Sequence, residues 1–116
     1  MPGISIHVVD VARGVVASGM RVEVHALAPG RILVTDAAVS STGVVDGAGL
    51  AERFEPGQYE VRLHVAAFYR QAGLALPGVP FLDVATFRFG IADPAQHYHL
   101  PFKLTPWGYS CFRGGA

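Results

Sequence analysis

His97-Tyr98-His99-Leu100-Pro101-Phe102-Lys103-Leu104 is the stretch on which the fold turns. In a strand, alternate side chains point to opposite faces. Leu100, Phe102 and Leu104 therefore form one apolar face, which belongs to a core. His99, Pro101 and Lys103 share the other face, with His97 behind them. On a lone monomer that second face is a polar exterior. In an assembly it is the wall of a polar cleft.

The same period of two runs through most of the chain. Ile4, Ile6 and Val8 alternate with Ser5, His7 and Val9, and Asp10 to Gly14 reads as a turn. Met20, Val22, Val24 and Ala26 oppose Arg21, Glu23 and His25. Ala28-Pro29-Gly30 is a turn signal, and Arg31 to Val39 gives a third strand with weaker alternation. Val44-Val45 begins a short element between the breaks at Ser40-Ser41-Thr42-Gly43 and Asp46-Gly47-Ala48-Gly49. The clearest strand sets Tyr59, Val61, Leu63 and Val65 against Glu60, Arg62 and His64. Val65 to Ala72 is the helix candidate, with Gly73 as its stop. Phe81 to Ile91 is a long strand with Phe87, Phe89 and Ile91 on one face. Two final strands, His97 to Leu104 and Tyr109 to Arg113, flank Thr105-Pro106-Trp107-Gly108. About eight short strands with turns between them predict an all-β, two-sheet sandwich of Greek-key type with one short helix. Residues 1–116 are expected to form a single domain.

Composition narrows the function classes. The chain is 51% hydrophobic and 16% charged, which is apolar for a small monomer and points to a partner, most simply another copy. Nine basic and nine acidic side chains cancel, and no basic run stands out. Neither nucleic acid nor a membrane surface is an expected partner. One cysteine, Cys111, excludes an intrachain disulfide and a Cys-rich zinc site; its alternation with Ser110 and Phe112 turns it toward the core. The first residues lack a signal-peptide pattern, so a reducing cytoplasm is the expected compartment.

Five histidines are the candidate chemistry. His25 and His64 fall on polar strand faces and read as solvated or edge residues. His97 and His99 have a spacing found in metal sites, but no cysteine or carboxylate pair accompanies them, so no metal and no cofactor are expected. No phosphate-binding glycine loop and no nucleophile elbow are present. These residues alone lead to an oligomeric β-sandwich with a histidine- and lysine-bearing face, and to no particular substrate.

Both ends of the chain resemble the transthyretin-like family, in its 5-hydroxyisourate hydrolase branch. Ile4-Ser5-Ile6-His7-Val8-Val9-Asp10 is similar to the family's opening segment. His97-Tyr98-His99-Leu100-Pro101, then Thr105-Pro106-Trp107-Gly108-Tyr109-Ser110 and Phe112-Arg113-Gly114, resembles its closing signature; Pro56-Gly57-Gln58-Tyr59-Glu60-Val61 and Asp93-Pro94 fall in register. The resemblance implies a homotetramer, a dimer of dimers, with active sites in a central channel where a small purine-derived ring is opened by hydrolysis. It implies His7 and His99 as catalytic residues, with Val44, Pro101, Ser110, Phe112 and Arg113 against the substrate.

The sequence departs from the family in three segments. The family's arginine position is Val44, its closing Tyr-Arg-Gly-Ser is Phe112-Arg113-Gly114-Gly115, and a usual leucine is Lys103. Lys103 shares the face of His99, which suggests that it resupplies the missing cation as a flexible point charge. A lysine kept among imidazoles can also serve as a base or amine nucleophile. Trp107 replaces a tyrosine and is expected at a subunit contact. Three functions fit: a hydrolase of the family type; a repurposed biosynthetic enzyme performing cyclisation, rearrangement or lyase chemistry on a different ring; or a non-catalytic small-molecule binder.

Overall fold

A computed structural model of the chain describes residues 2–47 and 49–115; Met1, Ala48 and Ala116 lie outside them, and with Ala48 the middle of the Asp46–Gly49 break. The strands are β1 Gly3–Asp10, β2 Val15–Val16, β3 Arg21–Ala26, β4 Ile32–Ala38, β5 Gly57–His64, β6 Val84–Ile91, β7 His97–Thr105 and β8 Gly108–Cys111, with helix α1 at Val65–Gln71. They form two four-stranded sheets, ordered β2-β1-β7-β8 and β4-β3-β5-β6. The expected all-β sandwich with one short helix is the observed architecture.

The core lies between the sheets. Ile4, Ile6 and Val8 from β1 and Leu100, Phe102 and Leu104 from β7 meet Val22, Val24, Val61 and Leu63 from the second sheet. Each was the apolar phase of its alternation, because burial of that face is what the pattern stabilises. β1 and β7 run parallel over their full length, pairing Gly3 with His97 through Asp10 with Leu104. Parallel neighbours need a crossover, and here nearly the whole chain intervenes.

Helix α1 ends as the sequence suggested. Gly73 has φ +95°, its N–H donates to the Arg70 carbonyl at 3.0 Å, and the Leu74 N–H donates to the Tyr69 carbonyl at 3.0 Å. These are the paired bonds of a glycine-terminated helix. On the inner side, the Tyr69 hydroxyl donates to Asp10 Oδ1 at 2.6 Å, and Arg13 holds Oδ2 at 2.6 Å. Burial first, and the Asp10 carboxylate after it, push the Tyr69 phenol well above its ordinary value.

Several expectations are corrected. Val44 and Val45 make isolated bridges to His7 and Val39 instead of starting a strand. The sixth strand begins at Val84, since Phe81 is a largely exposed loop residue. The strand after the Thr105–Gly108 turn stops at Cys111, so Phe112 and Arg113 lie beyond it. Glu60, on the phase opposite the apolar residues of its strand, is nonetheless buried because Arg31, Arg62 and Arg88 close over it. Arg31 first, helped by Arg88 and Arg62, holds the Glu60 carboxyl down at about 2 in spite of burial. His25 is buried, not solvated: it keeps the outer-face phase, opposite Glu60 on β5 and with its Nε2 beside Glu23, and that crowded face covers it. His64 is not a free edge residue either: its Nε2 lies 2.6 Å from Glu23 Oε2, while His25 Nε2 lies 3.1 Å from Oε1. His64 chiefly, then His25, hold the Glu23 carboxyl below the usual range against its own burial.

Candidate active site on the open face of the first sheet

β1 and β7 present one continuous outer face. On β1 it carries Ser5, His7 and Val9; on β7 it carries His97, His99, Pro101 and Lys103. The parallel register sets Ser5 opposite His99, His7 opposite Pro101, and Val9 opposite Lys103. His7 therefore stands between His99 and Lys103. With the usual strand spacings, its Cα lies roughly 8 Å from each of theirs, whereas His99 and Lys103 are about 13 Å apart along β7.

Ser5 is the junction of the two β7 imidazoles. Its Oγ lies 2.7 Å from His97 Nε2 and 2.6 Å from His99 Nδ1. His97 Nδ1 in turn lies 3.3 Å from the Pro2 carbonyl oxygen. Sequence reasoning missed Ser5, which looked like an ordinary strand serine. The available signal was its place two residues before His7 on the same face.

Each of the two predicted catalytic histidines, His7 and His99, rests on a glycine. A methyl group added at Gly43 would meet His7 Nε2 at 2.6 Å, and one at Gly114 would meet His99 Cδ2 at 2.6 Å. Gly43 also has φ +88°, a conformation that a residue with a Cβ adopts only under strain. Its turn is held by Ser40 Oγ, which accepts the N–H groups of Thr42 at 3.3 Å and Val44 at 3.2 Å. The turn continues the sheet edge: Val8 N–H donates to the Gly43 carbonyl at 2.9 Å, and Val45 N–H donates to that of Ile6 at 3.0 Å. Val44 is thereby bridged to His7, on the same open face, with 39% of its surface exposed.

Lys103 is the chain's one lysine and is exposed. Its β8 neighbour is Ser110, and both line a shallow depression of about 300 Å³ with Val11, Thr105 and Tyr109. Ser110 thus joins the predicted set. Phe112 is 55% exposed just past β8. Arg113 does not join the histidines. It donates to Gln96 Oε1 at 3.0 Å and to the His97 carbonyl at 3.2 Å, and lies over the Tyr98 ring at 4.0 Å from its centre. Trp107 is 67% exposed at the tip of its turn, and Cys111 packs against the core, where burial pushes its thiol up to about 11.

The face thus combines imidazoles that can move protons, one cation, and a hydroxyl that couples two rings. Among the described residues, no cluster of three or more metal-ligating side chains is present, and no helix is long and apolar enough to cross a membrane.

Comparison with known proteins adds a family. A model of the HIUase/Transthyretin family matches residues 4–114. The chain is 43% identical to the 5-hydroxyisourate hydrolase of Deinococcus radiodurans, over 97% of this chain and 96% of that one. Among solved structures, an (S)-allantoin synthase superposes with a TM-score of 0.89 at 33% identity, covering 97% of this chain and 43% of that one. The transthyretin of Sparus aurata superposes with a TM-score of 0.82 at 21% identity over 98% of this chain and 97% of that one, a likeness of fold.

Proposed function

Because the chain belongs to the HIUase/Transthyretin family, we propose that it is a hydrolase that opens a small nitrogen heterocycle, with 5-hydroxyisourate as the first substrate to try. The observation that carries this reading is the open face on which His7, His99 and Lys103 stand together. The 43% identity to a protein named for that hydrolysis supports the substrate.

The chemistry follows from the groups present. One imidazole takes a proton from water as its oxygen attacks the ring carbonyl. The Lys103 ammonium stabilises the negative charge that develops on the carbonyl oxygen, a role worth on the order of 10²–10³ in rate for one such donor. The carbonyl re-forms as the ring C–N bond breaks, and the leaving nitrogen takes a proton from the second imidazole. Solvent exchange then resets the two rings.

A single open face does not exclude water, so the site needs a roof. The proposed roof is the same face of another copy, in a homotetramer whose channel holds the site. Val11, Trp107 and Phe112, each more than half exposed, would be covered in that assembly.

The test is the ultraviolet decay of 5-hydroxyisourate, generated in place by a urate oxidase. The wild type accelerates the decay, and His7→Ala, His99→Ala and Lys103→Met each lose most of the acceleration. A wild type with no effect sinks the reading. Val44 favours a second reading: an apolar side chain stands beside His7 where the family has an arginine, and Arg113 is turned to Gln96 and Tyr98. A different ring would then be rearranged, cyclised or cleaved on the same face. Binding of ring analogues without turnover marks a binder instead.

A further inference from the structure

The hydrogen-bond chain through Ser5 has a direction, and its far end fixes that direction. A carbonyl oxygen has no proton to give, so the Pro2 oxygen, 3.3 Å from His97 Nδ1, accepts a hydrogen carried by that nitrogen. A neutral imidazole with Nδ1–H has a bare, accepting Nε2. The Ser5 hydroxyl, 2.7 Å from that Nε2, therefore donates to it. A hydroxyl has one proton, so toward His99 Nδ1, at 2.6 Å, Ser5 Oγ can only accept. His99 must then carry its hydrogen on Nδ1 and keep a lone pair on Nε2. The opposite direction would set the lone pair of His97 Nδ1 against that of the Pro2 oxygen.

We propose that Ser5 and His97 are positioning residues that hold His99 in its Nδ1–H tautomer, so that Nε2 is the lone pair that takes the proton from water. Its catalytic consequence rests on the hydrolase reading above; the tautomer itself does not. The assignment divides the roles: His99 is the base toward water, and His7 is the acid toward the leaving nitrogen. The backbone supports the relay from the other side. Arg113 donates to the His97 carbonyl at 3.2 Å and the Gly114 N–H to the His99 carbonyl at 2.7 Å, so both ring-bearing residues are anchored while their rings share one hydroxyl.

Nitrogen-15 labelling of histidine, read by long-range proton–nitrogen correlation at a pH where the rings are neutral, observes the tautomers directly. The expected wild-type spectrum has His97 and His99 both protonated on Nδ1. Ser5→Ala releases His99 toward the Nε2–H form, and Ser5→Thr, which keeps the hydroxyl, retains Nδ1–H. In the hydrolysis assay, Ser5→Ala lowers kcat/KM by about tenfold or more, a part of the roughly 10²–10⁴ that general acid–base catalysis supplies, and Ser5→Thr recovers it. An Nε2–H tautomer for His99 in the wild type overturns the proposal, whether or not any variant folds. So does an unchanged His99 tautomer in Ser5→Ala. A wild type that shows the Nδ1–H form yet leaves 5-hydroxyisourate untouched supports the tautomer assignment and overturns only the hydrolase reading.

Discussion

Gly114→Ala should disable the site while leaving the fold nearly intact. The added methyl group would sit 2.6 Å from His99 Cδ2 and 3.3 Å from its Cγ. Carbon atoms rest about 3.5–4.0 Å apart, so the ring has to retreat by about 1 Å. Ser5 Oγ holds Nδ1 at 2.6 Å, and a retreat of that size away from Ser5 takes the bond past the hydrogen-bonding limit. A misplacement of about 1 Å typically costs on the order of 10² in rate. The stability loss is only that of one hydrogen bond, about 1 kcal/mol, because Gly114 lies past the last strand and its backbone is not in the left-handed region. Gly115→Ala is the control, since a methyl group there meets nothing within 4 Å. The assay is kcat/KM for 5-hydroxyisourate beside a thermal melt, together with the His99 ring resonances, which need no substrate. If Gly114→Ala keeps its rate within threefold of the wild type and its His99 resonances do not move, the close approach does not position the ring.

Three further outcomes follow from the packing. Glu60→Gln flattens acid sensitivity: the folded carboxyl is held at about 2, below its ordinary 4.5, so its stabilisation is full above about pH 5 and is lost as pH falls toward 2. With three partly exposed guanidiniums screening the site, that contribution is about 2 kcal/mol, and urea midpoints at pH 6 and pH 3 should differ less in Glu60→Gln than in the wild type. Tyr69→Phe removes one of two partners from the buried Asp10 carboxylate and should cost about 1.5–3 kcal/mol in denaturant unfolding with the site face unchanged. Glu23→Ala strips His25 of its Nε2 partner when its buried Nδ1 already has none among the described residues, and should cost about 1–3 kcal/mol by the same measurement.

What the sequence made legible was phase. Alternation alone assigned Leu100, Phe102 and Leu104 to the core and His99 and Lys103 to the opposite face, and the sheets obey it. It failed where an outer face is itself covered. His25 keeps the outer phase, opposite Glu60, and is buried there. It failed again where side chains build their own cover, as three arginines do over Glu60. β2 is two residues long, too short to show any period. The pairing of Ser5 with His99 was beyond reach for another reason: alternation says which face a residue takes but not which strand lies alongside. The tight approach of Gly43 to His7 and of Gly114 to His99 is likewise set by the path of one turn and the tail, where no pattern repeats.

The side-by-side run of β1 and β7 has a consequence for how the molecule comes into being. Ser5 meets His97 and His99 across sequence separations of 92 and 94 residues. Contacts that distant require closing a loop of nearly the entire chain, and their entropy cost comes before their reward. The second sheet, whose neighbours β3, β4, β5 and β6 are near in sequence, can zip up first. The first sheet must wait until β7 has left the ribosome, with β1's apolar edge exposed in the meantime. The shared face of β1 and β7 is thus the last part of this fold to form, and the His97 and His99 ring resonances during refolding time the final docking of its two ends.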